Sequence, residues 1–158
     1  MCFVVAVYGK GPAKIISTTG FDFTFSGGAV VYRSKTKTIN SLSFTEAEII
    51  AAVTAAETAR FYRFMLQELG FPHESPTPIY KDNDPTIDIV NSGITTERTH
   101  YIDIRFFAIK GWKEASAIIM NHIDGIISLS NDLTKPLGWV LHFRHAGYLM
   151  GHYNISVG

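Results

Sequence analysis

Ser41-Leu42-Ser43-Phe44-Thr45-Glu46-Ala47-Glu48 opens the longest apolar-periodic run of the chain. Ser43 with Glu46 three residues on fits a capping box. The spacing predicts a helix from about Thr45 to Leu69, stopped by Gly70 and Pro72. Ile49, Ile50, Val53, Phe61, Phe64 and Met65 supply apolar positions that seat this helix on a sheet. Upstream, Cys2 to Tyr8 is a short valine-rich run closed by Gly9-Lys10-Gly11-Pro12, which reads as a buried strand. Phe21 to Phe25 alternates as a second strand, and a Gly27-Gly28 turn leads to a third, Ala29 to Arg33.

Downstream, Pro78 to Asp82 is a fourth strand. Asp84 as N-cap and Pro85 at the first helical position start a helix through Val90. Thr99 to about Trp112 reads as helix, Ala117 to His122 as strand, Asp124 to Lys135 as loop and Trp139 to Met150 as a closing helix. A meander of three strands followed by strand–helix alternation gives an α/β chain with a mixed sheet flanked by helices. With no internal repeat and no linker, one domain over residues 1–158 is expected. Topology alone leaves several α/β folds open.

The 158 residues are 46% hydrophobic and 13% aromatic, enough to bury a core and too apolar for wholesale disorder. Net charge is zero, yet residues 1–45 carry Lys10, Lys14, Arg33, Lys35 and Lys37 against Asp22 alone, so the remainder is net acidic. That asymmetry permits a polyanion-facing side without requiring one. A lone cysteine, Cys2, excludes an intrachain disulfide and an all-cysteine metal site. No apolar run approaches the roughly 18 residues a membrane span needs, and Met1 to Tyr8 lacks the charged start of a signal peptide. A soluble intracellular protein, cytoplasmic or nuclear and without a membrane partner, is the expectation.

Several stretches in order resemble the ribonuclease H domain of Ty1/copia-type retrotransposon Pol polyproteins. Gly27 to Lys35 (GGAVVYRSK) is similar to that family's G-G-A-V-x-W-x-S-K, and Ser41 to Glu48 to its S-S-T-E-A-E. Asp82-Asn83 matches a D-N pair on the fourth strand, Glu97 to Arg105 (ERTHYIDIR) matches E-R-T-K-H-I-D-I-R, and Leu133 to Leu137 (LTKPL) matches the terminal L-T-K-P-L. The resemblance implies a ribonuclease H-like fold with a five-stranded mixed sheet. It also implies a metal-dependent endonuclease that cuts the RNA strand of RNA–DNA hybrids. In the family a reverse transcriptase precedes this domain; a chain opening at the first strand fits a decayed fragment or a domain put to another use.

Such chemistry uses two magnesium ions roughly 3.5–4 Å apart, one to activate water and one to stabilise the leaving oxygen. Magnesium wants hard oxygen ligands, and the family supplies four acids. Glu48 matches the helix carboxylate and Asp82 the fourth-strand one. For Glu48 the alternative is a capping partner of Thr45, and for Asp82 a loop carboxylate or helix cap. The first-strand D-A-D falls on Val5-Ala6-Val7, and neither valine can ligate a metal. The last acid falls on Asn131, a neutral amide, with Asp132 one residue away as a substitute only if the loop shifts. Glu48, Asp82, Asn131 and Val5 thus form a degenerate catalytic set. Mg2+ is expected to bind weakly or as a single ion between Glu48 and Asp82, because cation–cation repulsion needs anions to offset it.

Arg33, Lys35 and Lys37 fall at alternate positions and are candidates for gripping a phosphate backbone, with Lys10 and Lys14 as helpers; a solvated edge strand whose lysines block aggregation is the alternative. His142 and His145 sit at i, i+3, with His152 following, but no partner carboxylate motif accompanies them, so surface or packing roles are expected. Tyr101 stands where the family has its histidine. Trp112 and Trp139 are expected to pack, and Asp103 and Arg105 to support structure. Three functions follow: a weak or dead nuclease that still binds hybrid, an active one using Asp132 or Asn131 as last ligand, or a scaffold that kept only the fold. The protein partner is unknown.

Overall fold

A computed structural model describes residues 2–10, 15–37, 44–92 and 103–152. Strands β1 (Cys2–Lys10), β2 (Ile15–Phe25) and β3 (Gly28–Lys37) form the meander. Helix α1 (Phe44–Glu68), strand β4 (Thr77–Lys81), helices α2 (Asp84–Ser92) and α3 (Asp103–Glu114), strand β5 (Ile118–His122) and helix α4 (Trp139–Leu149) follow. One five-stranded sheet has the order β3-β2-β1-β4-β5, antiparallel through β3-β2-β1 and parallel through β1-β4-β5. The expected mixed sheet is present.

The β2–β3 hairpin closes over two residues, Ser26 (φ 51°) and Gly27 (φ 93°), rather than over Gly27-Gly28. Two positive φ values match the right-handed twist of the flanking strands. Helix α2 is capped one residue earlier than expected: the Asn83 Oδ1 accepts the Thr86 amide at 3.0 Å, and Asp84 is already helical. The expected Asp124–Lys135 loop contains a 3-10 helix, Leu129–Leu133. Of the third helix, residues 99–102 lie outside the described residues, as does Ser43 of the capping box.

Alternation along the strands sorts the two faces of the sheet. Phe21 and Phe23 of β2 and Ile79 of β4 join a core with α1, α2, α3 and β5. Ala47, Ala51, Ala52, Ala55, Ala56 and Ala59 carry α1 in this core, their small side chains letting the helix lie close to the strands. The expected seat extended to Phe61, Phe64 and Met65, but these are exposed; beyond Ala59 the helix outruns the core, and Tyr62 reaches back to Phe23. Trp112 packs against the core beneath Arg60, whereas Trp139 is 75% exposed and touches Phe143, contrary to the packing expected of it.

The 3-10 helix and α4 cover the opposite face. Tyr80, which alternates with Ile79, joins a second cluster with Ile123, Leu129, Tyr148 and Leu149. Ser34 Oγ donates to the Leu133 carbonyl at 2.6 Å. Gly20 makes the closest approach: a Cβ there would stand 2.6 Å from Thr134 Cγ2, 2.8 Å from Leu133 Cβ and 3.0 Å from the Ser130 oxygen. Gly20→Ala is therefore expected to lower stability by about 1–3 kcal/mol, because it pushes the 3-10 helix off the sheet. Urea unfolding of the variant measures this, and an unchanged midpoint would refute the contact.

Candidate functional site

Strand β4 alternates inward at Ile79 and Lys81, so a lysine enters the core side of the sheet. Lys81 is 0% exposed and Glu48, one turn into α1, is 2% exposed. The Lys81 Nζ donates directly to the Glu48 Oε2 in a buried ion pair. The next residue, Asp82, follows the strand directly and is half-buried. Its Oδ2 lies 3.3 Å from the point where a Cβ on Gly125 would stand, and the Asn131 Nδ2 lies 3.9 Å from the same point. Asn131 is buried and donates from Nδ2 to the Gly125 carbonyl, leaving its Oδ1 without a hydrogen-bond partner.

The fold thus brings Asp82 and Asn131 together at Gly125 and ties Glu48 to Lys81, the residue that precedes Asp82 in the chain. Val5 pairs with Gly20 and Val7 with Thr18 across β1–β2. On its other side β1 pairs Cys2 with Ile79 and Phe3 with Tyr80. Continuing that parallel register brings Val5 level with Asp82, the place a first-strand acid would need.

Asp132 does not join this group. Its side chain turns to α4, where Oδ1 lies 3.2 Å from His142 Nδ1 and Oδ2 lies 3.4 Å from His145 Nδ1. His145 is buried and donates from Nε2 to the Ile126 carbonyl at 2.9 Å. The structure thus places the carboxylate of Asp132, the substitute ligand expected if the loop shifts, against the histidines: the 3-10 helix that carries it points it there. The histidines' partner, which the sequence reading did not find, is this same residue. Lys81 and Gly125 were also missed. Lys81 was readable, since period-two alternation from Ile79 sends it inward.

Do these residues fit magnesium? Among the described residues no group of three His, Cys, Asp or Glu side chains converges as a metal site. Glu48 is already neutralised by an ammonium, Asn131 brings no charge, and Asp82 is left as the single anion. Two divalent ions, or one beside Lys81, would meet a repulsion that a lone carboxylate does not offset. The donor set does not fit the family's metal pair.

Of the expected phosphate-gripping residues, Arg33 and Lys35 are exposed on β3 and line one cavity with Arg105 of α3. Lys37 ends β3 opposite Ser17 and Lys10 ends β1 opposite Ile15; Lys14 lies outside the described residues. His152 is exposed.

A further acid lies on β2. Asp22 is fully buried, neither carboxyl oxygen has a hydrogen-bond partner, and desolvation pushes its pKa up from 3.8 to about 8.

No protein-family model matches the chain. Its fold matches solved ribonucleases H1. One is the LC11 enzyme in complex with an RNA/DNA hybrid (TM-score 0.62, 13% identity, 84% of this chain and 93% of that one). A second structure of LC11, isolated from compost by a metagenomic approach, gives a TM-score of 0.63 at 14% identity, over 84% of this chain and 89% of that one. The enzyme of the halophilic archaeon Halobacterium salinarum gives 0.52 at 12% identity, over 83% and 89%. The fold is ribonuclease H-like. In sequence, 94 residues, 60% of the chain, are 39% identical to the retrovirus-related Pol polyprotein from transposon TNT 1-94 of Nicotiana tabacum. The match spans 7% of that polyprotein's length, so the chain is similar to a small part of it.

Two stability outcomes follow from the buried charges. Lys81→Ala strips a buried carboxylate of its ammonium and is expected to cost about 3–5 kcal/mol, whereas Lys81→Met with Glu48→Leu recovers most of it; denaturant midpoints for the three proteins decide. For Asp22 the sign is the reverse. Between about pH 4 and 8 the unfolded chain has lost this proton while the folded chain keeps it, so stability falls as pH rises through that window. Asp22→Asn should raise the unfolding temperature more at pH 8 than at pH 5, and a pH-independent difference would exclude the buried acid as cause.

Proposed function

We propose that this chain is one ribonuclease H-like domain of copia-type ancestry that holds RNA–DNA hybrid and cuts it weakly or not at all. One observation carries the reading: the Lys81 ammonium occupies Glu48, the helix carboxylate of the family's metal cage. With valine at position 5 and a neutral amide at 131, Asp82 alone remains to bind Mg2+, at most as a single weak ion. Without a metal pair nothing generates hydroxide or steadies the departing oxygen.

The hybrid-binding half rests on the basic residues of the first 45 positions, Arg33 and Lys35 with Lys10, Lys14 and Lys37, and on the hybrid bound by the LC11 enzyme of like fold. Phosphate contacts of this kind need no active site. An active nuclease ending its ligand set with Asp132 is disfavoured by the two histidines that hold that carboxylate; Asn131 is the member beside Asp82. A scaffold role is favoured by the exposed Trp139 and Phe143 of α4.

The test is hybrid binding and cleavage by the purified chain in Mg2+. Binding that weakens steeply between roughly 50 and 200 mM salt, with no product strand, is expected. Val5→Asp with Asn131→Asp should stay inactive, and adding Lys81→Ala should bring metal-dependent cutting. Efficient cleavage by the unaltered chain would refute the impaired site, and salt-insensitive or absent binding would refute the grip.

A further inference from the structure

Alternation on β3 sends Arg33 and Lys35 to the α1 face, because their β2 partners are Phe21 and Thr19, which face that helix. There they line a cavity of about 340 Å³ between the sheet, α1 and α3. Ile50 and Val53 of α1 and Phe21 of β2 make its apolar part, and Arg105 of α3 adds a third cation. Glu57 is the one acid among the described lining residues, so the described lining is net positive. Among the described residues, no carboxylate forms an ion pair with Arg33, Lys35 or Arg105.

A second observation is independent of these charges. Thr19 lines the same cavity, is 4% exposed, and its Oγ1 has no hydrogen-bond partner. A buried hydroxyl left unpaired is costly and calls for an explanation. An acceptor oxygen in the cavity supplies one. Three cations without an ion-pair partner among the described residues, and a hydroxyl donor, around a small space are complementary to a tetrahedral, multiply charged oxyanion. At the low end of the roughly 300–1,000 Å³ range for ligand sites, the space suits such a group with little attached to it.

We infer that this cavity binds a phosphate group, with Arg105, Arg33 and Lys35 as charge partners and Thr19 Oγ1 as a neutral donor. Arg105, expected to be structural, becomes a ligand-binding residue. That the phosphate belongs to a nucleic-acid backbone rests on the hybrid-binding reading above; a free phosphate or nucleotide has the same chemistry. The cavity follows α1 away from Glu48, so it is separate from the degenerate carboxylates.

Calorimetric titration of the full chain with inorganic phosphate and with adenosine monophosphate, beside a labelled RNA–DNA hybrid, tests this in four proteins: unaltered, Arg105→Ala, Arg105→Lys and Thr19→Val. Phosphate affinity is expected to fall at least about tenfold in Arg105→Ala, to be partly kept in Arg105→Lys, and to fall several-fold in Thr19→Val. Thr19→Val removes the unpaired hydroxyl at nearly constant volume, so its unfolding temperature without ligand should hold or rise. Hybrid affinity falling in parallel supports the backbone as source. Phosphate binding lost in Arg105→Ala with hybrid binding untouched or absent assigns the cavity to a free phosphate and overturns that source alone. Hybrid binding that persists while no variant alters phosphate affinity, or while phosphate does not bind, overturns the cavity and leaves the hybrid reading standing.

Discussion

Taking an ammonium or a carboxylate out of water costs several kcal/mol per ion, and only mutual attraction with good geometry repays it. Lys81 and Glu48 meet that condition together and not separately. Their contact ties the first turns of α1 to the end of β4, and most of the site's geometry follows. Asp82 must leave the strand immediately after a buried lysine, so it emerges at the sheet edge next to Gly125 and Asn131. The pair also fixes the local charge, because a carboxylate joined to an ammonium contributes no net field to a neighbouring cation.

The two faces of the sheet divide their polar groups differently. The α1 face carries apolar side chains through most of its area, then Arg33, Lys35 and an unpaired Thr19 hydroxyl toward its β3 edge. Arginine and lysine reach solvent there because α1 turns its exposed Glu57 side to the same opening. The other face is closed by the 3-10 helix and α4, which meet the sheet through the cluster around Tyr80 and the hydrogen bond from Ser34 to Leu133 and are tied internally by Asn131 to Gly125 and His145 to Ile126. Gly20 lets the 3-10 helix approach.

The element order and the mixed sheet were readable because period-two and period-3.6 patterns are strong in this chain, and the family motifs located Glu48 and Asp82. What escaped the reading was physically specific. The apolar residues past Ala59 continue the helical pattern beyond the sheet, and a pattern records periodicity without recording where the partner surface ends. Asn83 rather than Asp84 caps α2, since both are good caps and backbone geometry chooses between them. Asp132 meets His142 and His145 only after a 3-10 turn re-aims it, which no spacing rule encodes. Lys81 is different: alternation alone sends it inward, and a lysine on a buried position calls for an acid opposite.

Lys81 also changes how the other replacements are to be understood. With four acids and two metal ions, each carboxylate depends on the ions to offset repulsion from its neighbours. On the proposed reading, with the Lys81 amine at Glu48 in place of a metal ion, a further acid at position 5 or 131 would sit beside Asp82 with its charge uncompensated. Valine and asparagine carry no such penalty. Conversely, restoring the acids while Lys81 stays leaves an ammonium in competition with the metal for Glu48. The substitutions are therefore coupled through one electrostatic balance, and none can be reversed alone without leaving a charge unmatched. On that reading the buried lysine holds helix to strand, as the metal-bound carboxylates would, while supplying none of the Lewis acidity that hydrolysis requires.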